Sequence, residues 1–231
     1  MLDFGFYNMD CMDRMKEYPD KYFDLAVCDP PYGINAPKMK MGSHDGKEST
    51  AEKIRKGRLN QGAGKLKNRA LNTMNCDWDS ERPSKGFFEE LFRISKNQII
   101  FGFNYFSDYL PPSRGVIVWD KCQPWENFSQ AEIAWTSFDK PASIVKISTR
   151  GGANSEEKIH PTQKPVALYE WILARYAQEG FKILDTHCGS ASSLIACENF
   201  NLNYVGFEIS KDFYNLAKER LEAVKSQIRF F

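Results

Sequence analysis

Asp29-Pro30-Pro31-Tyr32-Gly33 brings together one carboxylate, carbonyls without competing donors and one aromatic ring. Each proline fixes its own φ at about −65° and lacks an N–H. Each also pushes the residue before it towards extended backbone, so Asp29 and Pro30 are both restricted. Such a rigid loop suits the gripping of a planar ring that bears an amine. Asp29 and the Pro30 carbonyl can accept the two amine hydrogens, and Tyr32 can stack on the ring face. A turn that merely ends a core strand can carry the same residues, so the rest of the chain has to decide.

A second constellation lies near the far end. Asp185 closes the apolar run Phe181 to Leu184, and Thr186-His187-Cys188-Gly189-Ser190-Ala191-Ser192-Ser193 follows as a turn of mostly small residues. Glu208 closes the next apolar run, 23 residues after Asp185. A spacing of ~20 places a carboxylate on ribose hydroxyls in a doubly wound sheet. The turn has no Gly-x-Gly-x-x-Gly pattern and no Walker lysine, which disfavours dinucleotides and nucleoside triphosphates. S-adenosylmethionine has a ribose and a charged amino-acid tail but no phosphate, and it fits the turn better.

The elements around these residues alternate. A short strand at 4–7 and a helical turn through Met12 and Met15 precede the buried strand into Asp29. After a long polar segment, Phe87, Phe88, Leu91, Phe92 and Ile94 predict a helix. Strands follow at 98–101 and 115–119, and two more at 131–136 and 143–147 are read as an antiparallel edge. His160-Pro161-Thr162-Gln163-Lys164-Pro165 introduces a helix with Leu168, Ile172 and Tyr176 on its apolar face. A β-α-β-α unit completes the chain, with Ser210 capping the last helix. The pattern predicts an α/β fold with a mostly parallel, doubly wound sheet.

Composition narrows the class. At 231 residues the chain can bury a sizeable core. No apolar run nears the ~18 residues that span a bilayer, and residues 1–10 show no secretory pattern. The six cysteines show no close pairing, so a zinc site or disulfide framework is not expected and a cytoplasmic location is. Charge is uneven. Ala36 to Asn75 holds ten basic and three acidic side chains, a local +7, in a chain whose net charge is +1. Most charge runs are solvated loops, yet a basic cluster can also neutralise phosphates and order on nucleic acid; residues 34–83 are read as a basic, mobile DNA-binding loop within one catalytic domain, 1–231.

These motifs resemble those of bacterial DNA amino-methyltransferases of the β arrangement, in which the catalytic motif precedes the cofactor motif. The family's Asp-Pro-Pro-Tyr matches Asp29, Pro30, Pro31 and Tyr32. Its cofactor motif matches Asp185 to Ser193, its strand-end acid Glu208, its His-Pro-x-x-Lys-Pro element His160 to Pro165, and its Gly-Asp Met9-Asp10. The resemblance implies a Rossmann-like methyltransferase fold with permuted motif order. It implies methyl transfer from S-adenosylmethionine to the N6 amine of a flipped adenine in duplex DNA, without a metal. Cytosine N4 is the alternative base, and a degenerate module that only binds nucleic acid is the alternative class. By this resemblance Asp10 contacts the cofactor adenine and Glu208 its ribose. Asp185, Gly189, Ser190, Ser192, Thr162 and Lys164 surround its methionine part, and Cys11, Asp29, His160 and His187 complete the cofactor set. Residues 137–159 are the candidate target-recognition loop. A homodimer and a cognate restriction endonuclease are the further partners it suggests. The chain departs from the family at Thr186, His187 and Ala191, which stand for Pro, Phe and Gly. An alanine there needs a negative φ or carries strain. No Pro-Cys pair is present for ring-carbon methylation.

Overall fold

A computed structural model describes residues 3–36, 78–123, 129–148 and 158–228. Its strands are β1 (Gly5–Asn8), β2 (Phe23–Cys28), β3 (Ser95–Phe101), β4 (Val116–Asp120), β5 (Ala131–Thr136), β6 (Ser143–Lys146), β7 (Lys182–Asp185) and β8 (Asn203–Glu208). The helices are α1 (Met12–Met15), α2 (Lys85–Ile94), α3 (Phe103–Phe106), α4 (Val166–Tyr176), α5 (Ser192–Asn199) and α6 (Lys211–Ile228). All strands join one sheet in the order β1-β8-β7-β2-β3-β5-β4-β6.

The unbroken apolar run before Asp29 has a direct structural cause. Leu25 and Val27 face one core, with Ile172 and Leu194. Ala26 and Cys28 face the other, with Phe88 and Leu91. A strand covered on both faces has no polar side to alternate with. Helices α4 and α5 cover the first face, and α2 with α3 the second. The periodicity Phe87, Phe88, Leu91, Ile94 is the buried stripe of α2.

The antiparallel member is β5 alone, which pairs antiparallel with both β3 and β4. The sequence reading of 143–147 as a second antiparallel strand is corrected, because β6 pairs parallel with β4. The reversal of β5 carries its first residues to the carboxyl end of β3, beside the loop that leaves β2. Ser210 caps α6 as expected, its Oγ accepting the Phe213 N–H at 3.4 Å. The five described cysteines form no disulfide. No helix among the described residues is long and apolar enough to cross a membrane.

Candidate active site

Asp29, Asp185 and Glu208 lie at the carboxyl ends of three neighbouring parallel strands, β2, β7 and β8. That edge is where open α/β sheets hold ligands. The sheet order thus makes one site from residues nearly 180 positions apart in the chain.

At the β2 end, Asp29 is already bonded. The Tyr32 hydroxyl donates to Oδ1 at 2.6 Å, and the Lys164 ammonium donates to Oδ2. The Tyr32 ring lies on Tyr105, with centroids 4.7 Å apart and planes 14° from parallel. Gly102 makes room for it. Its φ is +80°, and a Cβ there would sit 2.4 Å from the ring. The loop is held from outside by Asp79, which is buried. Its carboxylate accepts the Gly33 and Ala36 N–H groups at 2.9 and 2.8 Å, and its carbonyl accepts that of Asn35. Arg82 next to it grips Asp108 in bidentate fashion at 2.9 and 2.6 Å. At the two ends of the expected 34–83 loop, residues 34–36 and 78–83 form part of the site wall. Residues 37–77, the bulk of that basic segment, lie outside the described residues, as do 149–157 of the expected recognition loop.

Lys164 is buried, and two carboxylates share it. Besides Asp29, Glu132 Oε2 lies 2.9 Å away, while Lys121 reaches Glu132 Oε1 at 2.5 Å. Burial raises the Asp29 pKa, opposed by the Lys164 charge and reinforced by Glu132. Burial also works to raise Glu132, but Lys164 and Lys121 outweigh it and hold that carboxyl at about 2. Lys164 stays charged because the two carboxylates overcome its own burial. Sequence reasoning found Asp29 and Lys164 but not their mutual contact, and it missed Glu132, Lys121, Asp79 and Tyr105.

The turn after β7 is held as tightly. Asp185 accepts the Ser193 hydroxyl and the His187 N–H, the latter at 3.0 Å, so both its oxygens staple the turn to α5. Glu208 accepts the N–H groups of Gly189 and Ser210 at 2.9 and 2.8 Å. Arg220 donates to the Ser190 carbonyl and the Ser192 hydroxyl. Ala191 has φ +56° and is fully buried, so the expected strain is present, ~1–2 kcal/mol for a left-handed non-glycine residue. His160 lies against Phe213 and Trp78 and within 3.5 Å of a Cβ built on Gly189, with Nδ1 facing Thr162. Asp10, Cys11, Pro31, Phe87 and His187 line one cavity of about 200 Å³ beside this turn. The Phe87 ring meets His187 edge-on at 5.4 Å. The structure so gathers every expected site residue along one edge of the sheet, with Lys164 against Asp29.

Both histidines are held neutral. Burial, assisted by Lys164, pushes His160 down to about 3, and burial pushes His187 down to about 4 against the pull of Asp10. Burial pushes Asp185 up to about 7 against its own hydrogen bonds. A depressed histidine costs stability as pH falls below ~6.5, because the unfolded chain then binds a proton that the folded one refuses. Asp185 acts oppositely, taking its proton in the fold below about 7. The two histidines thus contribute a loss of stability between pH ~7 and ~4.5, which the raised Asp185, Asp29 and Glu208 carboxyls oppose. Urea unfolding at both pH values measures it. His187→Phe, which cannot titrate, should lose less on acidification than the parent, and an equal loss would exclude His187 from the effect.

Residues 23–219 match a family model described as DNA methylase. Over 83 residues the chain is 36% identical to the Type II methyltransferase M.HpaI of Haemophilus parainfluenzae, covering 36% of this chain and only 26% of that protein. It is 23% identical to the Type II methyltransferase M2.MboI of Moraxella bovis across 96% of this chain and 89% of the other. The solved structure of M1.HpyAVI with S-adenosylmethionine shares the fold, with TM-score 0.53, 19% identity and coverage of 93% and 98%. The matched span begins in β2, takes in the Asp29 loop, the buried Lys164 and the Asp185 turn, and ends in α6. With the family model matched over residues 23–219, most of its length, the chain belongs to the N6/N4 DNA methylase family.

Proposed function

We propose that the protein transfers a methyl group from S-adenosylmethionine to the exocyclic N6 amine of an adenine flipped out of duplex DNA. The observation that carries this is the alignment of Asp29, Asp185 and Glu208 at the ends of three adjacent strands. One acid faces the amine site, and two build a nucleoside-type site beside it. The structure of M1.HpyAVI in complex with S-adenosylmethionine supports the choice of donor.

The donor supplies a methyl carbon made electrophilic by its sulfonium. The chain supplies position and charge. Glu208 is placed for the ribose hydroxyls, and the cavity at Asp10, Cys11 and His187 for the adenine. Gly189, with φ +53°, and Ser190 and Ser192 give the methionine part close backbone approach. Asp185 shapes that turn from within, since both its oxygens are engaged. A ring amine is a poor nucleophile because its lone pair is delocalised into the ring. Asp29 and the Pro30 carbonyl, accepting its N–H groups, localise that pair at nitrogen. The N–C bond forms as the C–S bond breaks, sulfur keeps the bonding electrons, and the surplus proton passes from the nitrogen to solvent water. Positioning and preorganised charge are what the protein contributes. Tyr32 replaces the stacking that the flipped base gives up. Adenine rather than cytosine rests on the aspartate that opens the motif. The basic segment of 34–83 is assigned to the phosphates, and 137–159 to target recognition.

Transfer of labelled methyl from the donor to DNA, followed by nucleoside analysis, tests the reading. N6-methyladenine is expected. N4-methylcytosine would overturn the base assignment, and donor binding without transfer would make the chain a binding module. Separately, Glu208→Ala should weaken donor binding by ~1.5–3 kcal/mol, the worth of hydrogen bonds to a charged acceptor. Calorimetric titration measures this, and an unchanged Kd would put the ribose elsewhere.

A further inference from the structure

Asp29 meets two donors in the arrangement described. Tyr32 fills one of its oxygens and Lys164 the other. Turning one oxygen wholly to a base amine displaces one donor, and in a buried site a displaced ammonium needs another acceptor at once. Glu132 offers that acceptor. Its Oε2 lies 2.9 Å from the Lys164 nitrogen. Yet that oxygen is buried and receives no aligned hydrogen bond among the described residues. The ammonium is thus charge-paired with Glu132 but aimed at Asp29. A small rotation re-aims it without moving the charge into a new environment. Lys121 fixes the other Glu132 oxygen at 2.5 Å and so holds the acceptor still. The Lys164 ammonium also lies 4.7 Å from the Phe101 ring centroid, a cation–π contact that any re-aiming has to keep.

We propose that Glu132 is a positioning residue for methyl transfer: it receives the Lys164 ammonium when Asp29 turns an oxygen to the target amine. This rests on the reading of Asp29 as the amine acceptor. The exchange keeps both ammonium groups paired with a carboxylate. Before it, Lys164 is bonded to Asp29 and Lys121 to Glu132. After it, both lysines are bonded to Glu132, and Asp29 is freed on one side with its charge intact. The assignment also explains an acid on the antiparallel strand β5 at the one point where that strand reaches the catalytic edge.

The titratable groups around Asp29 set the test. They are Tyr32 on its own loop, Glu132 on β5, Lys121 after β4, Lys164 before α4, Tyr169 on α4, Cys28 on β2 and Asp185 on β7. An ionised Asp29 is required, so activity falls as pH drops through its folded pKa. The negative charge of Glu132 raises that pKa, so removing the charge moves the acid limb to lower pH. The experiment is single-turnover methyl transfer to DNA across pH, with parent, Glu132→Gln and Glu132→Asp. Glu132→Gln should slow the pH-independent step ~10-fold or more, as for one lost charged hydrogen bond. Its acid limb should move down by ~0.5 pH unit or more, with donor affinity by calorimetry unchanged. Glu132→Asp keeps the charge, so its limb should stay with the parent and its rate should lie between the two. Parent-like rates in Glu132→Gln would overturn the inference. So would slowing with an unmoved limb in both variants, which marks a merely structural role. Absence of any transfer by the parent protein would instead overturn the functional reading, and this inference with it.

Discussion

Lys164→Met is expected to destabilise the protein by ~3–5 kcal/mol, the cost of leaving a buried ion pair without one partner. The buried ammonium serves Asp29 and Glu132 together. Without it, Asp29 is left without a cationic partner among the described residues, since Lys121 pairs with Glu132. The loss should appear as a fall in Tm of roughly 10 °C for a chain of this size. It should also depend on pH, with a sign that can be worked out. Burial already raises the Asp29 pKa, and Lys164 holds it back. In the variant that restraint is gone, so the fold binds a proton on Asp29 at a pH where the unfolded chain does not. Stability linked to such a group is gained as pH falls through the folded pKa. The deficit of the variant should therefore be smaller at pH ~5.5 than at ~8, as read by urea unfolding of both proteins. A deficit that does not change with pH would show that the loss is one of packing.

Asp29→Ala should behave in the opposite way. Here Lys164 keeps Glu132 at 2.9 Å, so no buried charge is stranded and the fold should hold. Donor binding should persist as well, because Asp10, Glu208 and the Gly189 turn are untouched. Methyl transfer in a single turnover should fall at least ~10²-fold, the scale of losing one preorganised polar contact at a transition state. Near-normal transfer would remove Asp29 from the mechanism. The two variants separate contributions that one salt bridge otherwise merges: the stability expected of Lys164 and the chemistry proposed for Asp29.

The substitutions in the cofactor turn bear on the same balance. Ala191 holds a left-handed conformation at the start of α5 that glycine would take without strain. His187 packs on Phe87 as an apolar ring would, and burial keeps it uncharged. These two of the three departures from the family motif are thus absorbed by the fold, at a cost in local strain and in acid stability.

What the sequence determined by itself is the content of each strand-end loop. The rigid Asp29-Pro30-Pro31-Tyr32 loop, the small-residue turn after Asp185 and the acid at Glu208 are contiguous, and local backbone chemistry dictates their shape. The doubly wound fold was equally legible, because strands buried on both faces and helices buried on one leave different apolar patterns. What only the tertiary structure decided is which of these loops touch and through which partners. Lys164 and Asp29 are 135 residues apart, and nothing local says that one closes on the other. Asp79 sits at the end of a long polar segment, where an acid reads as solvated, yet it holds three backbone N–H groups of the catalytic loop. Glu132 is the plainest case. On an alternating strand it reads as a residue that faces water. Only the antiparallel insertion of β5 between β3 and β4 turns that end of the strand towards the carboxyl edge of the sheet. There the buried lysine gives the carboxylate a partner, and a side chain that looks like surface becomes part of the site.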